Sequence, residues 1–337
     1  MPKPRSGAVV HDPAEVTPRW LEAALGRRVK SFERVETVSN WGSHVRIVAG
    51  VEDAPEPLRL RVKIGSAAVF GRGEVDYYTE TFAELADSPL VRCYHAAADA
   101  THYHLLLDDL TETHRNQDEV PVTEAYVHGL AASLAQLHAH RWAQPPPDEA
   151  GIEASLREAR AGLPIMLEAM RESFSDSDIA AVREVFAHLP SALCRRAQDP
   201  LGFSWVHGDL NPGNILAPRA GSGRVLVLDY QPFLDPPPQN ELAMSDLAHA
   251  SVLWWPEDEC RLWAPVLLKQ WHSRLQQNGL GYASAEKLQA DWSLCVARTL
   301  LVPAARCSES GAVTTHRWLW QMFVRRALAA LRDMRAC

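Results

Sequence analysis

Three oxygen-bearing side chains, Asp209, Asn214 and Asp229, have the types and spacing to do chemistry. In WVHGDLNPGNIL, Trp205 to Leu216, a carboxylate and an amide flank an Asn-Pro-Gly turn. In RVLVLDYQ, Arg224 to Gln231, an apolar strand ends on a second carboxylate. Phosphoryl transfer asks for little covalent help from protein. It needs a divalent cation on the phosphates, a group to hold the attacking hydroxyl, and a fixed cation near the nucleotide. Mg²⁺ prefers hard oxygen ligands and takes only one or two from protein, which a carboxylate and an amide from separate segments can supply. On this reading Asp209 orients an acceptor hydroxyl and takes its proton late, while Asn214 and Asp229 supply metal oxygens. Pro212 and Gly213 make the turn that returns Asn214 toward the metal. Taken singly, each of the three reads more readily as a loop residue capping its own turn. Their order and spacing together favour chemistry.

That chemistry needs elements to position it. RLRVKI, Arg59 to Ile64, alternates polar and apolar residues as a half-buried strand does. SNWGSHVRIV, Ser39 to Val48, reads as a turn feeding another strand, so the pair predicts a hairpin. From Glu74 the spacing becomes helical, with Tyr78, Phe82 and Leu85 on one stripe. THYHLLLDDL, Thr101 to Leu110, is an apolar strand running into acidic residues, and TETHRNQDEVP reads as a connector between lobes. Beyond it, Thr123 opens a helix with Leu130, Leu134, Leu137 and Arg141 on one face, closed by QPPPDE. Ile152, Leu156, Ala159 and Leu163 mark a second helix, and Ser175 caps a third carrying Ile179, Val182 and Phe186. After short strands at 201–231, helical spacing resumes with Leu262, Val266, Leu267, Trp271 and Leu275, then Phe323, Ala327 and Leu331. The pattern predicts an α+β, bilobal fold. An antiparallel sheet lobe, 1–110, holds nucleotide, and a larger, mainly helical lobe, 111–337, carries catalysis and acceptor binding.

Bulk properties narrow the partners. A formal charge of −8 over 337 residues argues against nucleic acid, which wants a basic face. No apolar run approaches the roughly 20 residues that span a bilayer. The start, MPKPRSGAVVHDP, lacks the apolar core of a signal peptide. Cysteines 93, 194, 260, 295, 307 and 337 have no CxxC spacing and read as reduced thiols. The expectation is a cytoplasmic protein, of undetermined oligomeric state.

The residues now carry a resemblance. HGDLNPGN resembles the HxDxxxxN signature of the aminoglycoside phosphotransferase and choline kinase superfamily, small-molecule kinases related to protein kinases. LDYQ resembles its metal-binding Asp segment, and SDLAHA, Ser245 to Ala250, its downstream element in which the Asp braces the catalytic loop. VKIG at Lys63, EVDYY at Glu74, LLLDDL and LAQLHA, Leu134 to Ala139, extend the likeness over about 40–250. A weaker likeness continues through GLGYASAEKLQADW. The resemblance implies that His207 shapes the loop, Asp209 is the catalytic Asp, Asn214 and Asp229 bind metal, and Lys63 holds the α and β phosphates. Between Glu74 and Glu80 as partner of Lys63, geometry favours Glu74. It lies beside the buried stripe, whereas Glu80 shares an acidic face with Asp76 and Glu84. A nucleotide loop around Ser39, Gly42 and Ser43 has a single glycine. Gln231 in DYQ, where protein kinases have glycine, and the short PFLDPPPQNELAM that follows point away from a protein kinase. LLLDDL implies a base-binding hinge at Asp109 and Leu110, for ATP or GTP. Asp108 and Asp109 serve equally as turn caps.

The acceptor is a hydroxylated small molecule. Trp254 and Trp255 follow the DLA segment and read either as stacking planes for it or as inter-helix core, and Asp246 joins them as a candidate contact. Glu257, Asp258 and Glu259 would attract an ammonium or simply favour a helix start. His102 and His104 share one side of a strand, but no sequence pattern completes four zinc ligands. The expected activity is Mg²⁺-dependent transfer of a γ-phosphate from ATP or GTP to an antibiotic hydroxyl. Metabolic phosphorylation of an amino alcohol, sugar or nucleoside is the rival within enzymes. A catalytically silent nucleotide-binding protein is the rival outside them.

Overall fold

The computed structural model describes residues 4–5, 7–39, 42–85, 87–230, 240–309 and 315–336. They form two compact units, Met1–Glu119 with Leu216–Gln231, and Val120–Ile215 with Pro232–Cys337. The return of 216–231 to the first unit has no counterpart in a linear division at 110/111.

In the first unit, α1 (Pro18–Leu25) starts where the Thr17 hydroxyl accepts the Trp20 amide and Pro18 presets the first turn. Five strands follow: β1 (Val29–Ser39), β2 (Ser43–Val51), β3 (Leu58–Ser66), β4 (Cys93–Ala98) and β5 (His102–Asp108). They build an antiparallel sheet of order β1-β2-β3-β5-β4. Alternation decides its faces. Val45, Ile47, Ala49 and Val51 of β2 and Leu60, Val62 and Ile64 of β3 are buried in one cluster with Leu21, Ala24 and Leu25 of α1. The predicted hairpin is β2–β3, with Ile47 opposite Leu60, and β1, which the sequence reading did not single out, pairs on the other side of β2.

Between β3 and β4 lie two short helical turns, α2 (Ala67–Phe70) and α3 (Gly73–Asp76). From α3 the chain passes directly into a π-helical turn, Tyr77–Thr81. The wider turn alters the expected stripe. Tyr77 joins Tyr78 and Phe82 in the core, while Leu85 is only partly buried. A second small sheet, ordered β6-β8-β9, uses β6 (His114–Asn116), β8 (Ile215–Pro218) and β9 (Leu226–Val227).

The second unit is helical. It contains α4 (Glu124–His140), α5 (Glu149–Met170), α6 (Asp176–Arg196), α7 (Met244–Ala248), α8 (Glu257–Gln277), α9 (Ala285–Arg298), α10 (Leu301–Cys307) and α11 (Arg317–Ala336). Two short strands, β7 (Phe203–Ser204) and β10 (Glu241–Leu242), pair antiparallel. The helix starts obey local chemistry. Thr123 caps α4, Asp148 caps α5, and Ser175 with Asp178 forms a reciprocal capping box on α6, each cap being worth about 1 kcal/mol. α4 packs on α8 through a face including Leu130, Leu134 and Leu137, and α5 packs on α10. Leu262, expected in the buried stripe of α8, is exposed, whereas Leu267, Trp271 and Leu275 are buried. Among the described residues no helix is long and apolar enough to cross a membrane.

Candidate active site

The first unit gathers charge around Lys63. The alternation of β3 points Lys63 away from the cluster that holds Val62 and Ile64. Its ammonium donates to Glu74 Oε2 at 2.6 Å and to Asp229 Oδ1 at 2.5 Å. Lys63 and Glu74 are both buried, and the Asp229 side chain is partly exposed. Glu80 is exposed and lies 4.0 Å from Arg72. Burial works against the Lys63 charge, but the Glu74 and Asp229 carboxylates outweigh it and hold the pKa well above that of an ordinary lysine. Burial likewise pushes Glu74 up to about 7, against the opposing pull of Lys63. Asp229 has φ 62°, a left-handed conformation that a non-glycine residue adopts at a cost of about 1–3 kcal/mol. Such strain survives only where neighbouring contacts hold it.

Sequence reasoning missed Tyr103. Its hydroxyl donates to the Glu74 carboxylate. Gly65 stands opposite Tyr103 in the β3–β5 register. A Cβ at Gly65 would fall 2.4 Å from Tyr103 Cζ, so only glycine leaves the ring its place. No local signal in THYHLLLDDL separates this tyrosine from a core residue.

Gly42 immediately precedes β2. A Cβ there would sit 2.6 Å from the Ile64 carbonyl oxygen, so the close backbone approach demands glycine. Ser43 begins β2 opposite Ile64. The side chain of Ser39, Gln231 and the Pro-rich stretch through 239 lie outside the described residues. Asp109 is heavily engaged. Its carboxylate accepts from Arg46 Nε at 2.8 Å and from the Thr111 amide and hydroxyl, and its own amide donates to the Arg59 carbonyl at 2.9 Å. The Leu110 carbonyl accepts from the Thr113 and His114 amides. Both residues therefore serve the turn that closes β5.

The second unit holds the Asp209 loop by hydrogen bonds to its backbone. Asp246 of α7, 1 % exposed, accepts from the His207 amide at 2.8 Å, the Gly208 amide at 2.9 Å and His138 Nε2 at 3.0 Å. Trp271 Nε1 donates to His138 Nδ1 at 3.0 Å, which leaves the proton of that imidazole on Nε2, facing Asp246. Burial opposes the Asp246 charge, yet His138 and the amides hold its pKa below the usual carboxylate range. His207 is buried, and its Nδ1 accepts the Asp209 amide at 3.3 Å.

The Asp209 carboxylate accepts from Asn211 Nδ2 at 3.0 Å and Asn214 Nδ2 at 3.2 Å. Asn214 Nδ2 also donates to the Asp209 carbonyl at 2.8 Å, which reserves its Oδ1 as an acceptor suited to a hard cation. A one-turn 3₁₀ helix, Pro212–Asn214, makes this return, with Asn211 Oδ1 capping the Gly213 amide at 2.8 Å. His249, at the start of a π-helical turn through Leu253, places Nε2 3.6 Å from Asp209 Oδ1. Neither His138 nor His249 was singled out for this loop from the sequence. Their roles come from packing of α4, α7 and α8, which no spacing rule encodes.

Burial corrects two expectations about acceptor contacts. Asp246 is enclosed and fully occupied as a brace, so it is a positioning group and not a ligand for substrate. Trp255 is 1 % exposed and meets Tyr126 edge-on at 6.3 Å, which makes it core. Trp254 is half-buried and packs edge-on against Phe323 at 4.9 Å.

Comparison with known proteins follows this geometry. A sequence model described as the phosphotransferase enzyme family matches residues 52–287. No curated protein matches the chain. A spectinomycin phosphotransferase solved with ADP and spectinomycin is similar in fold, with TM-score 0.53 and 13% identity, covering 93% of this chain and 96% of its own. The macrolide 2′-phosphotransferase of Brachybacterium faecium has TM-score 0.50 and 16% identity, over 92% and 96%.

Proposed function

Since the chain belongs to the phosphotransferase enzyme family, we propose that it is a kinase moving the γ-phosphoryl group of ATP or GTP to a hydroxyl of an antibiotic, which inactivates the drug. The observation that carries this reading is the Asp209 carboxylate, steadied by the Asn211 and Asn214 amides on a loop whose backbone is tied to buried Asp246. That arrangement suits a base which must hold an alcohol in one orientation. The acceptor oxygen forms a bond to the γ-phosphorus as the bond from that phosphorus to the β–γ bridging oxygen breaks. The alcohol proton passes late to Asp209, and the nucleoside diphosphate leaves.

Lys63, kept charged by Glu74 and Asp229, would bind the α and β phosphates. The donor set fits Mg²⁺, because Asn214 Oδ1 and the Asp229 carboxylate are hard oxygens. When bound, that ion would offset phosphate charge. Gly42 and Ser43 would bring backbone amides to the phosphates, and backbone at Leu110 would meet the base edge. The antibiotic assignment draws support from the two structural neighbours, named for spectinomycin and macrolide phosphorylation. The protein is to be incubated with ATP or GTP, Mg²⁺ and a panel of hydroxylated antibiotics, amino alcohols, sugars and nucleosides, with detection by mass spectrometry. An antibiotic gaining one phosphate with wild type and none with Asp209→Ala is expected. Phosphorylation confined to the metabolites would move the role to metabolism, and equal product from Asp209→Ala would end the catalytic assignment.

A further inference from the structure

Away from Lys63 and its partners, the first unit brings His11, Asp99 and His102 together, with one ligand atom from each lying within 4.8 Å of the others. His11 belongs to the segment before α1, Asp99 to the β4–β5 turn and His102 to the first position of β5. We propose that these three side chains form a binding site for a divalent transition metal of the zinc class, clasping the N-terminal segment to that turn.

The cluster is more than an accident of exposed polar groups, because its surroundings orient each ligand. Asp99 Oδ1 is saturated, accepting from the Thr101 amide at 2.7 Å, the Thr101 hydroxyl at 2.9 Å and the His102 amide at 2.9 Å. Its other oxygen, Oδ2, is directed at His11 Nε2 at 2.6 Å. His102 Nδ1 lies 3.0 Å from the Thr101 hydroxyl, which leaves Nε2 as the ligand atom. Hydrogen bonds of this type to the distal nitrogen fix the ring of a metal-bound histidine.

The backbone on the other side is equally anchored. The Val10 amide donates to buried His104 Nδ1 at 3.0 Å, and the His11 amide donates to Glu15 Oε2 at 3.2 Å. The His11 and His102 ring centroids are 4.9 Å apart.

Two imidazole nitrogens and one carboxylate match zinc, nickel or copper and not Mg²⁺, which wants oxygen alone. Zinc bonds near 2.0–2.1 Å in a tetrahedron place neighbouring ligand atoms about 3.3 Å apart. His11 and Asp99 are both exposed, and an entering metal would widen their 2.6 Å contact toward that spacing. Exposure leaves the fourth position to water.

Bound metal would stabilise the fold by mass action, with no demand on phosphoryl transfer. The test uses the full chain with excess Mg²⁺ present, so that hard-oxygen sites are already filled. Zn²⁺ is titrated while thermal melting is followed, and Co²⁺ replaces it as a visible-spectrum probe. One equivalent of metal, a Tm rise of a few degrees and a tetrahedral Co²⁺ spectrum are expected. His11→Ala and His102→Ala should each abolish all three signals and leave the phosphotransfer rate unchanged. His11 is exposed and His102 partly so, and loss of the exposed His11–Asp99 contact alone costs little. Equal metal uptake and equal Tm shift in these variants, or no uptake by wild type, overturns the proposal.

Discussion

Lys63 and Asp246 are both buried charges, but their surroundings neutralise them in opposite ways. Lys63 is held by two carboxylates, Glu74 and Asp229, and burial pushes Glu74 up to about 7. Asp246 is held by two backbone amides and by His138, whose ring Trp271 fixes with its proton facing Asp246. The first arrangement is a cluster of side-chain charges, and the second ties the backbone of a loop in one shape. The difference teaches where rigidity was placed.

The largest effect tests whether the loop frame and its reactive group are separable. Asp209→Ala should lower turnover about 100- to 10,000-fold and leave the denaturant midpoint within error, as read by steady-state kinetics beside urea unfolding. A large stability loss would mean that Asp209 is itself part of the frame. Asp246→Ala strands three buried donors and should cost about 3–5 kcal/mol of stability, with turnover falling at least about tenfold. Unchanged unfolding would refute the contrast with Lys63.

Lys63→Met should reduce kcat/KM about 100-fold yet cost less stability than Asp246→Ala. Glu74, which burial already pushes up to about 7, can take a proton once its partner is gone. A stability cost matching that of Asp246→Ala would erase the distinction.

Acid should act on both regions alike. Burial lowers His44, beside Lys63, to about 4, and lowers His249, beside Asp209, to about 4 as well. Each imidazole is neutral when folded and protonates more readily when unfolded. Its contribution is complete above the unfolded value near 6.5 and is lost as pH falls toward 4. Between pH 7 and pH 5 each should cost about 1–2 kcal/mol, visible in urea midpoints. His249→Gln should remove its share of that slope. The smallest effect belongs to Tyr103→Phe, which deletes one hydrogen bond to Glu74 and should raise KM for nucleotide a few-fold, about 1 kcal/mol, with kcat nearly constant.

These contrasts also mark what the sequence made legible. The bilobal fold was readable because β2 and β3 alternate cleanly and because Thr123 and Ser175 announce their helices. Local rules of that kind act within a few residues. The choice of Glu74 over Glu80 rested on one helical stripe, and the structure puts Glu74 in the interior and Glu80 outside. The π-helical turn after Glu74 was not legible, since a single inserted residue in the turn depends on how Tyr77 stacks on Tyr230, 4.4 Å away. For Trp255 and Asp246 the sequence left two readings open for a related reason. An aromatic or a carboxylate after the DLA segment looks the same in sequence whether it faces a ligand or the core. Only the packing of α4 and α8 decides, and those residues are over a hundred positions apart.

The return of Leu216–Gln231 to the first unit has a consequence for inheritance. That segment brings Asp229, and its Val227 amide bonds the Pro89 carbonyl at 2.9 Å while Val227 bridges Leu90. A graft of the first 119 residues onto a relative would carry Lys63 and Glu74 but leave their acidic companion behind. Recombination at a single crossover therefore cannot shuffle the first unit of this molecule intact. Variation arriving by that route must spare both stretches or replace both together.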